Sequence, residues 1–95
     1  SSIEVEDALF RHPAVAMAAV VAMPHEKWGE SPHAFVVVQA GLEVSEDELK
    51  SHVRENLAHF KTPQWVSFVE ELPKTATGKV KKFMLRDGQS GISRQ

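Results

Sequence analysis

A lysine that directly follows a glycine in a turn-rich loop, with further cations close behind it, is equipped to meet a phosphate. Pro73-Lys74-Thr75-Ala76-Thr77-Gly78-Lys79 is such a stretch. Gly78 allows a close turn of positive φ that places the Lys79 stem at the mouth of a site, and Pro73 fixes the entry to that turn. Charge along the chain is segregated in the same sense. Residues 74–95 carry six Lys/Arg against one acidic residue (+5), residues 1–73 carry five against twelve (−7), and the net charge is −2. A P-loop is excluded, because it needs glycine where Pro73 stands and Ser or Thr where Val80 follows the lysine. On Gly78 and Lys79 alone, a solvated loop lysine is the commoner outcome.

The longer string P-K-T-x-x-G-K-x-x-K-x-x-L-R adds information. Pro73, Lys74, Thr75, Gly78, Lys79, Lys82, Leu85 and Arg86 satisfy it. It closely resembles the terminal core motif of the adenylate-forming superfamily, which includes acyl-CoA synthetases, luciferases and peptide-synthetase adenylation domains. Upstream, Ile3-Glu4-Val5-Glu6, His12-Pro13-Ala14-Val15, Val20-Val21-Ala22-Met23-Pro24, Trp28-Gly29-Glu30 and Ala34-Phe35-Val36-Val37-Val38 follow that family's small C-terminal domain in order. The resemblance covers residues 1–87, with Gly88 to Gln95 reading as a polar, disordered tail.

The resemblance implies a mobile C-terminal lid of an ATP-dependent acid–thiol ligase, an acyl-CoA synthetase that forms acyl-AMP and then acyl-CoA. Lys79 becomes the adenylation lysine. When a carboxylate attacks the α-phosphorus of ATP, two anions meet and pyrophosphate leaves, so a fixed ammonium ion lowers the barrier. Lysine suits this as a compact charge on a flexible stem. Lys74, Lys81 and Lys82 read as a solvated basic face whose field attracts polyphosphates. For the second half-reaction the family rotates this domain and presents another face. By resemblance Trp28 lies near the pantetheine of coenzyme A, and Phe60 and Lys61 contact its nucleotide, by stacking and through a phosphate. An arginine found in some members after that lysine is Thr62 here. The family's hinge and the glycine-rich hairpin preceding this region are not in the chain, which reads as starting inside its domain. The resemblance places the ATP, carboxylate and Mg2+ sites on a large N-terminal domain of the same chain, so the isolated domain is expected to be inactive. The acid itself is not legible.

Ninety-five residues make one domain with a single core. No apolar run reaches the ~18 residues of a membrane span. Without cysteine there are no disulfides and no thiolate metal sites. The patterns predict an α+β fold, a three-stranded sheet flanked by helices. Ile3 to Arg11 is a helix with Val5, Ala8 and Leu9 inward, stopped by Pro13. Val15 to Met23 and Ala34 to Gln39 are strands joined by a loop from Pro24 to Pro32. Ser45 with Glu48 is a capping box opening a helix to about Leu57, with Leu49, Val53 and Leu57 as its stripe. Its acidic first turn compensates the helix dipole. Val66 to Val69 is the third strand, and Val80, Phe83 and Met84 form the inner face of a last short helix.

The five histidines do not make a metal site: His52 and His59 are seven apart, ~10 Å along a helix, and His12, His25 and His33 lie beside prolines at loops and strand edges. Glu30 has no paired carboxylate at useful spacing and reads as structural. Two other functions stay open. One is the lid of a luciferase-like or carrier-protein-dependent adenylating enzyme, which keeps Lys79 without needing Trp28 and Phe60 to face coenzyme A. The other is a stand-alone polyanion-binding module, disfavoured because no nucleic-acid motif is found and the domain is net acidic. Ser93-Arg94-Gln95 matches a peroxisomal C-terminal tripeptide at its first two positions only, leaving peroxisomal, cytoplasmic and mitochondrial locations open.

Overall fold

The computed structural model describes residues 2–25, 29–57, 63 and 65–87. Trp28, Phe60, Lys61 and the tail from Gly88 to Gln95 lie outside the described residues. The elements run α1 (Ser2–Phe10), β1 (Val15–His25), β2 (Gly29–Val38), α2 (Glu46–Asn56), β3 (Trp65–Phe68) and α3 (Lys82–Asp87). The sheet order is β1-β2-β3. β1 and β2 are antiparallel, whereas β2 and β3 are parallel. A parallel pair needs a crossover, and α2 lies on it. The α+β architecture expected from the patterns is the one observed.

Because side chains alternate across a strand, β2 serves two cores at once. Ala34 and Val36 face α1 and α2, packing with Leu9, Leu49 and Val53. Phe35 faces the opposite way, toward Leu72, Val69 and Leu85, with Met17, Val37 and Val80 packed alongside. β1 keeps both faces in register with β2 through an irregularity. Val15 pairs with Val38 and Met17 with Val37, so β1 advances two residues while β2 advances one. The extra residue reverses the parity of the strand. Val15 and Met17 therefore belong to opposite faces.

The strands extend further than the sequence patterns suggest. The expected loop from Pro24 to Pro32 is mostly sheet, with Pro24 paired to Glu30 and Pro32 to Ala22. Proline is tolerated where no ladder partner is waiting for its missing N–H. β1 is an edge strand, and β3 begins only opposite His33, one residue beyond Pro32.

Helix α1 ends as Arg11 and His12 donate N–H bonds to Ala8 and Leu9 carbonyls, at 3.2 and 3.0 Å, before Pro13. Helix α2 is capped by Ser45, whose Oγ accepts the Glu48 N–H at 3.0 Å. The reciprocal half of the capping box is replaced: the Glu48 carboxylate meets His12 Nε2 at 2.9 Å and joins α2 to the end of α1. His12 Nδ1 accepts the Ala14 N–H at 3.1 Å, so Nε2 is the nitrogen turned to Glu48. The last helix also differs from expectation. Phe83 is 62% exposed, whereas Leu85 is 1% exposed and is the inward residue. Val80 packs inward too, but from the segment before the helix. Six residues are too few for a 3.6-residue period to choose between neighbouring apolar positions.

We predict that Leu49→Ala destabilises the chain by about 2–5 kcal/mol, the range for truncating a buried leucine, whereas Phe83→Ala changes stability by less than about 0.5 kcal/mol. Urea unfolding monitored by circular dichroism measures both. A cost for Phe83→Ala matching that of Leu49→Ala would contradict this division of the core.

Candidate active-site hairpin

Pro73 to Lys82 fold into a short hairpin. Lys74 and Val80 form an antiparallel bridge. The Gly78 N–H donates to the Thr75 carbonyl at 3.0 Å and the Thr75 N–H donates to the Lys79 carbonyl at 2.7 Å. That pair of bonds encloses a three-residue loop, Ala76 to Gly78, whose last residue must be left-handed. Gly78 has φ +89°. A Cβ there would meet nothing within 4 Å, so glycine is required by backbone conformation and not by space. The turn leaves the Lys79 N–H without a backbone acceptor in the loop. Thr75 Oγ1 takes it at 3.1 Å and lies 3.0 Å from Thr77 Oγ1. Thr75 and Gly78 thereby shape the backbone from which Lys79 projects.

The hairpin is fastened at its base. Leu72 and Val80 pack on the second face of the sheet with Leu85 of α3. The Lys81 N–H donates to the Pro73 carbonyl at 2.8 Å, closing the two arms. Above this base Lys74 and Lys79 are exposed. Among the described residues no ion pair holds Lys79 or Lys74. Lys82 behaves differently from the solvated lysine the sequence suggested. Its Nζ lies 2.6 Å from Glu6 Oε2. The same Glu6 oxygen accepts the Val20 N–H of β1 at 2.7 Å. Arg86 of α3 reaches Glu30 at 3.8 Å, a looser contact between exposed groups, which gives Glu30 a modest tethering role.

A second polar group lies at the β2–β3 end. Half-buried His33 stacks on Phe35, with ring centroids 4.4 Å apart, and its Nε2 meets Ser67 Oγ at 2.8 Å. Trp65 lies 5.6 Å from it, ring to ring. Burial lowers the His33 pKa below the usual histidine value, with the Glu46 charge partly opposing. Glu46 accepts the Val66 N–H at 3.1 Å and pairs with Lys50 at 3.0 Å. Burial pushes its carboxyl up, but the Lys50 and Val66 hydrogen bonds, with the Lys50 and His33 charges, hold it below the ordinary range. His52 Nε2 bonds the Ala8 carbonyl at 2.6 Å, so it serves helix packing. Among the described residues no group of three or more His, Asp or Glu is placed to hold a metal ion, and no helix is long and apolar enough to cross a membrane.

Of the predicted site residues, the structure places Lys79 and Gly78 together on the hairpin, Gly78 as the turn residue. Trp28, Phe60 and Lys61 fall outside the described residues. Sequence reasoning missed Glu6, whose role depends on a contact across 76 residues of chain. It also missed the side-chain role of Thr75, which the spacing of a three-residue turn before a left-handed glycine would have signalled.

This hairpin on a two-faced sheet defines a known class of domain. The family described as AMP-binding enzyme C-terminal domain matches residues 4–79, and the chain belongs to it. The chain is 54% identical over 87 residues to a peroxisomal trans-cinnamate:CoA ligase of Petunia hybrida, covering 92% of this chain and 15% of that one. Among solved structures, an acyl-CoA synthetase of Brucella canis superposes with a TM-score of 0.87 at 41% identity, covering 93% of this chain and 17% of the other. The amide bond synthetase McbA from Marinactinospora thermotolerans gives a TM-score of 0.87 at 38% identity, covering 92% and 18%. The chain thus spans less than a fifth of the length of these relatives.

Two predictions follow from the geometry. Gly78→Ala is expected to destabilise the hairpin by about 1–2 kcal/mol through left-handed strain alone, read by urea unfolding; a change below ~0.3 kcal/mol would mean that the turn relaxes freely. The second concerns pH. A histidine whose folded pKa is lowered binds fewer protons folded than unfolded, so stability should fall as pH drops below about 6.5 and continue falling until folded His33 protonates. The Glu46 contribution is present above its unfolded value and is lost only at lower pH, as pH falls through its depressed folded value. Unfolding of wild type and His33→Gln between pH 8 and 5 should show a flatter slope for the variant. Parallel slopes would remove His33 as the cause.

Proposed function

We propose that the chain is the lid domain of an ATP-dependent acid–thiol ligase, an acyl-CoA synthetase, and that Lys79 supplies the positive charge for adenylation. The observation that carries this reading is the exposed Lys79, presented on a hairpin whose backbone is fixed by Thr75 and Gly78. Family membership and the CoA-ligase name of the Petunia relative support the reaction class.

In the first half-reaction an oxygen of the substrate carboxylate forms a bond to the α-phosphorus of ATP. The bond from that phosphorus to the bridging oxygen breaks, and pyrophosphate leaves with the electron pair. Lys79 sits between the two anions and stabilises charge that is greatest in the transition state. In the second, the thiol sulfur of coenzyme A bonds to the acyl carbon, the thiol proton is released, and AMP departs. Trp28, Phe60, Lys61 and Gly78 are assigned to the cofactor-binding surfaces, the first three to coenzyme A. Mg2+, the carboxylic acid and the body of ATP are assigned to the large N-terminal domain. The peroxisomal designation of the Petunia relative favours the peroxisome among the compartments left open.

Likeness to an amide bond synthetase favours a second reading of the acceptor alone. In that reading the acyl-adenylate does not meet coenzyme A, as in the luciferase-like and carrier-protein alternatives, and Lys79 keeps its role.

In the full-length enzyme Lys79→Ala should slow adenylation, measured by pyrophosphate exchange, by ~10²-fold or more. Thioester formation from supplied acyl-adenylate should change far less. An equal fall in both half-reactions, or unchanged exchange, would overturn the assignment.

A further inference from the structure

The hydrogen bonds inside the hairpin set its shape but not its tilt against the body of the domain. Tilt is set by the contacts that leave the hairpin. Leu72, Val80 and Leu85 provide apolar packing, which is strong but non-directional and tolerates sliding. Arg86 and Glu30 approach only to 3.8 Å, with half or more of each side chain exposed, so this pair fixes little. Among the described residues a further link is short and directional. Lys82 Nζ lies 2.6 Å from Glu6 Oε2, and the Glu6 side chain is only 16% exposed.

Glu6 is itself fixed. It projects from α1, and its carboxylate takes the Val20 N–H from the free edge of β1 at 2.7 Å. One oxygen therefore joins α1, β1 and α3. Lys82 begins α3 and lies three residues after Lys79, within a tight segment where its N–H bonds the Val80 carbonyl at 3.1 Å. A rotation of α3 about its apolar contacts would be carried directly into the backbone of Lys79.

We propose that Lys82 and Glu6 are positioning residues for Lys79: their partly buried ion pair sets the angle at which the hairpin presents the adenylation lysine. This rests on the reading of Lys79 given above. The pair touches no substrate and acts through geometry alone, in a reaction where a displacement of about 1 Å in a charged group can cost up to ~10²-fold in rate.

The test uses the full-length enzyme and both half-reactions. Lys82→Ala and Glu6→Gln should each slow pyrophosphate exchange about tenfold through kcat, with the KM for ATP within about twofold of wild type. The double variant should be no slower than either single one, because one link is lost in every case. Lys82→Arg, which keeps the charge and can still reach Glu6, should recover most of the rate. Thioester formation from supplied acyl-adenylate should stay within about twofold, which a general loss of folding would not allow. Unchanged exchange in Lys82→Ala, equal loss in both half-reactions, multiplicative effects in the double variant or no recovery with Lys82→Arg would each overturn the inference. Lys79→Ala, run in parallel, separates the two readings. If it slows exchange while Lys82→Ala does not, only the positioning role falls; if Lys79→Ala leaves exchange unchanged, the adenylation assignment falls first.

Discussion

A three-stranded sheet with apolar side chains on both sides has to be covered twice, and among the described residues there is one pair of longer helices to do it. α1 and α2 cover the first face. The second is closed by Leu72, Val80 and Leu85, which belong to the hairpin and the short helix behind it. The segment that carries Lys79 is therefore part of the core at its base and free only at its tip. This is why a short loop can hold Lys79 in one place: the packing of partly buried Val80 and buried Leu85 anchors both the residue after Lys79 and the helix that follows.

From that anchor the polar detail follows. An exposed three-residue turn would be mobile if its amides were left to water. Here Thr75 satisfies the Lys79 N–H from the side and Gly78 takes the left-handed position, so the tip has a defined shape. The free edges of the sheet are treated alike. Val20 on β1 and Val66 on β3 each donate an N–H to a glutamate, Glu6 and Glu46. Charged caps of this kind blunt edge strands against pairing with other chains. On the β1 side the same carboxylate also receives Lys82, which connects edge protection with the placement of the hairpin.

The strands, the two longer helices and the motif were legible because each carries a strong local signal: continuous Val and Ala runs, a serine cap with an apolar stripe, and the Pro-to-Arg string from 73 to 86. What was not legible depends on long-range pairing. The irregularity between Val15 and Met17 is visible only against β2, and without it the inward residues of β1 cannot be assigned. Pro24 and Pro32 read as loop because their tolerance depends on where the neighbouring strand begins. Lys82 read as solvated because Glu6 is remote in sequence. Phe83 and Leu85 could not be ranked within a single turn of helix. The coenzyme A-facing role expected of Trp28, Phe60 and Lys61 rests on resemblance, and these three lie outside the described residues.

Under the function proposed above, a positive charge at the end of the residue-79 side chain, held by this hairpin, drives adenylation. These 95 residues contain no cysteine, so Lys79→Cys introduces a unique thiol among them. Alkylation of that thiol with 2-bromoethylamine rebuilds an ammonium group of nearly the same length. In the full-length enzyme, with wild type treated identically as the control, Lys79→Cys should lose pyrophosphate exchange and aminoethylation should restore a substantial part of it, while alkylation with neutral iodoacetamide should restore none. Equal recovery with both reagents, or none with bromoethylamine despite complete modification of residue 79, would contradict it.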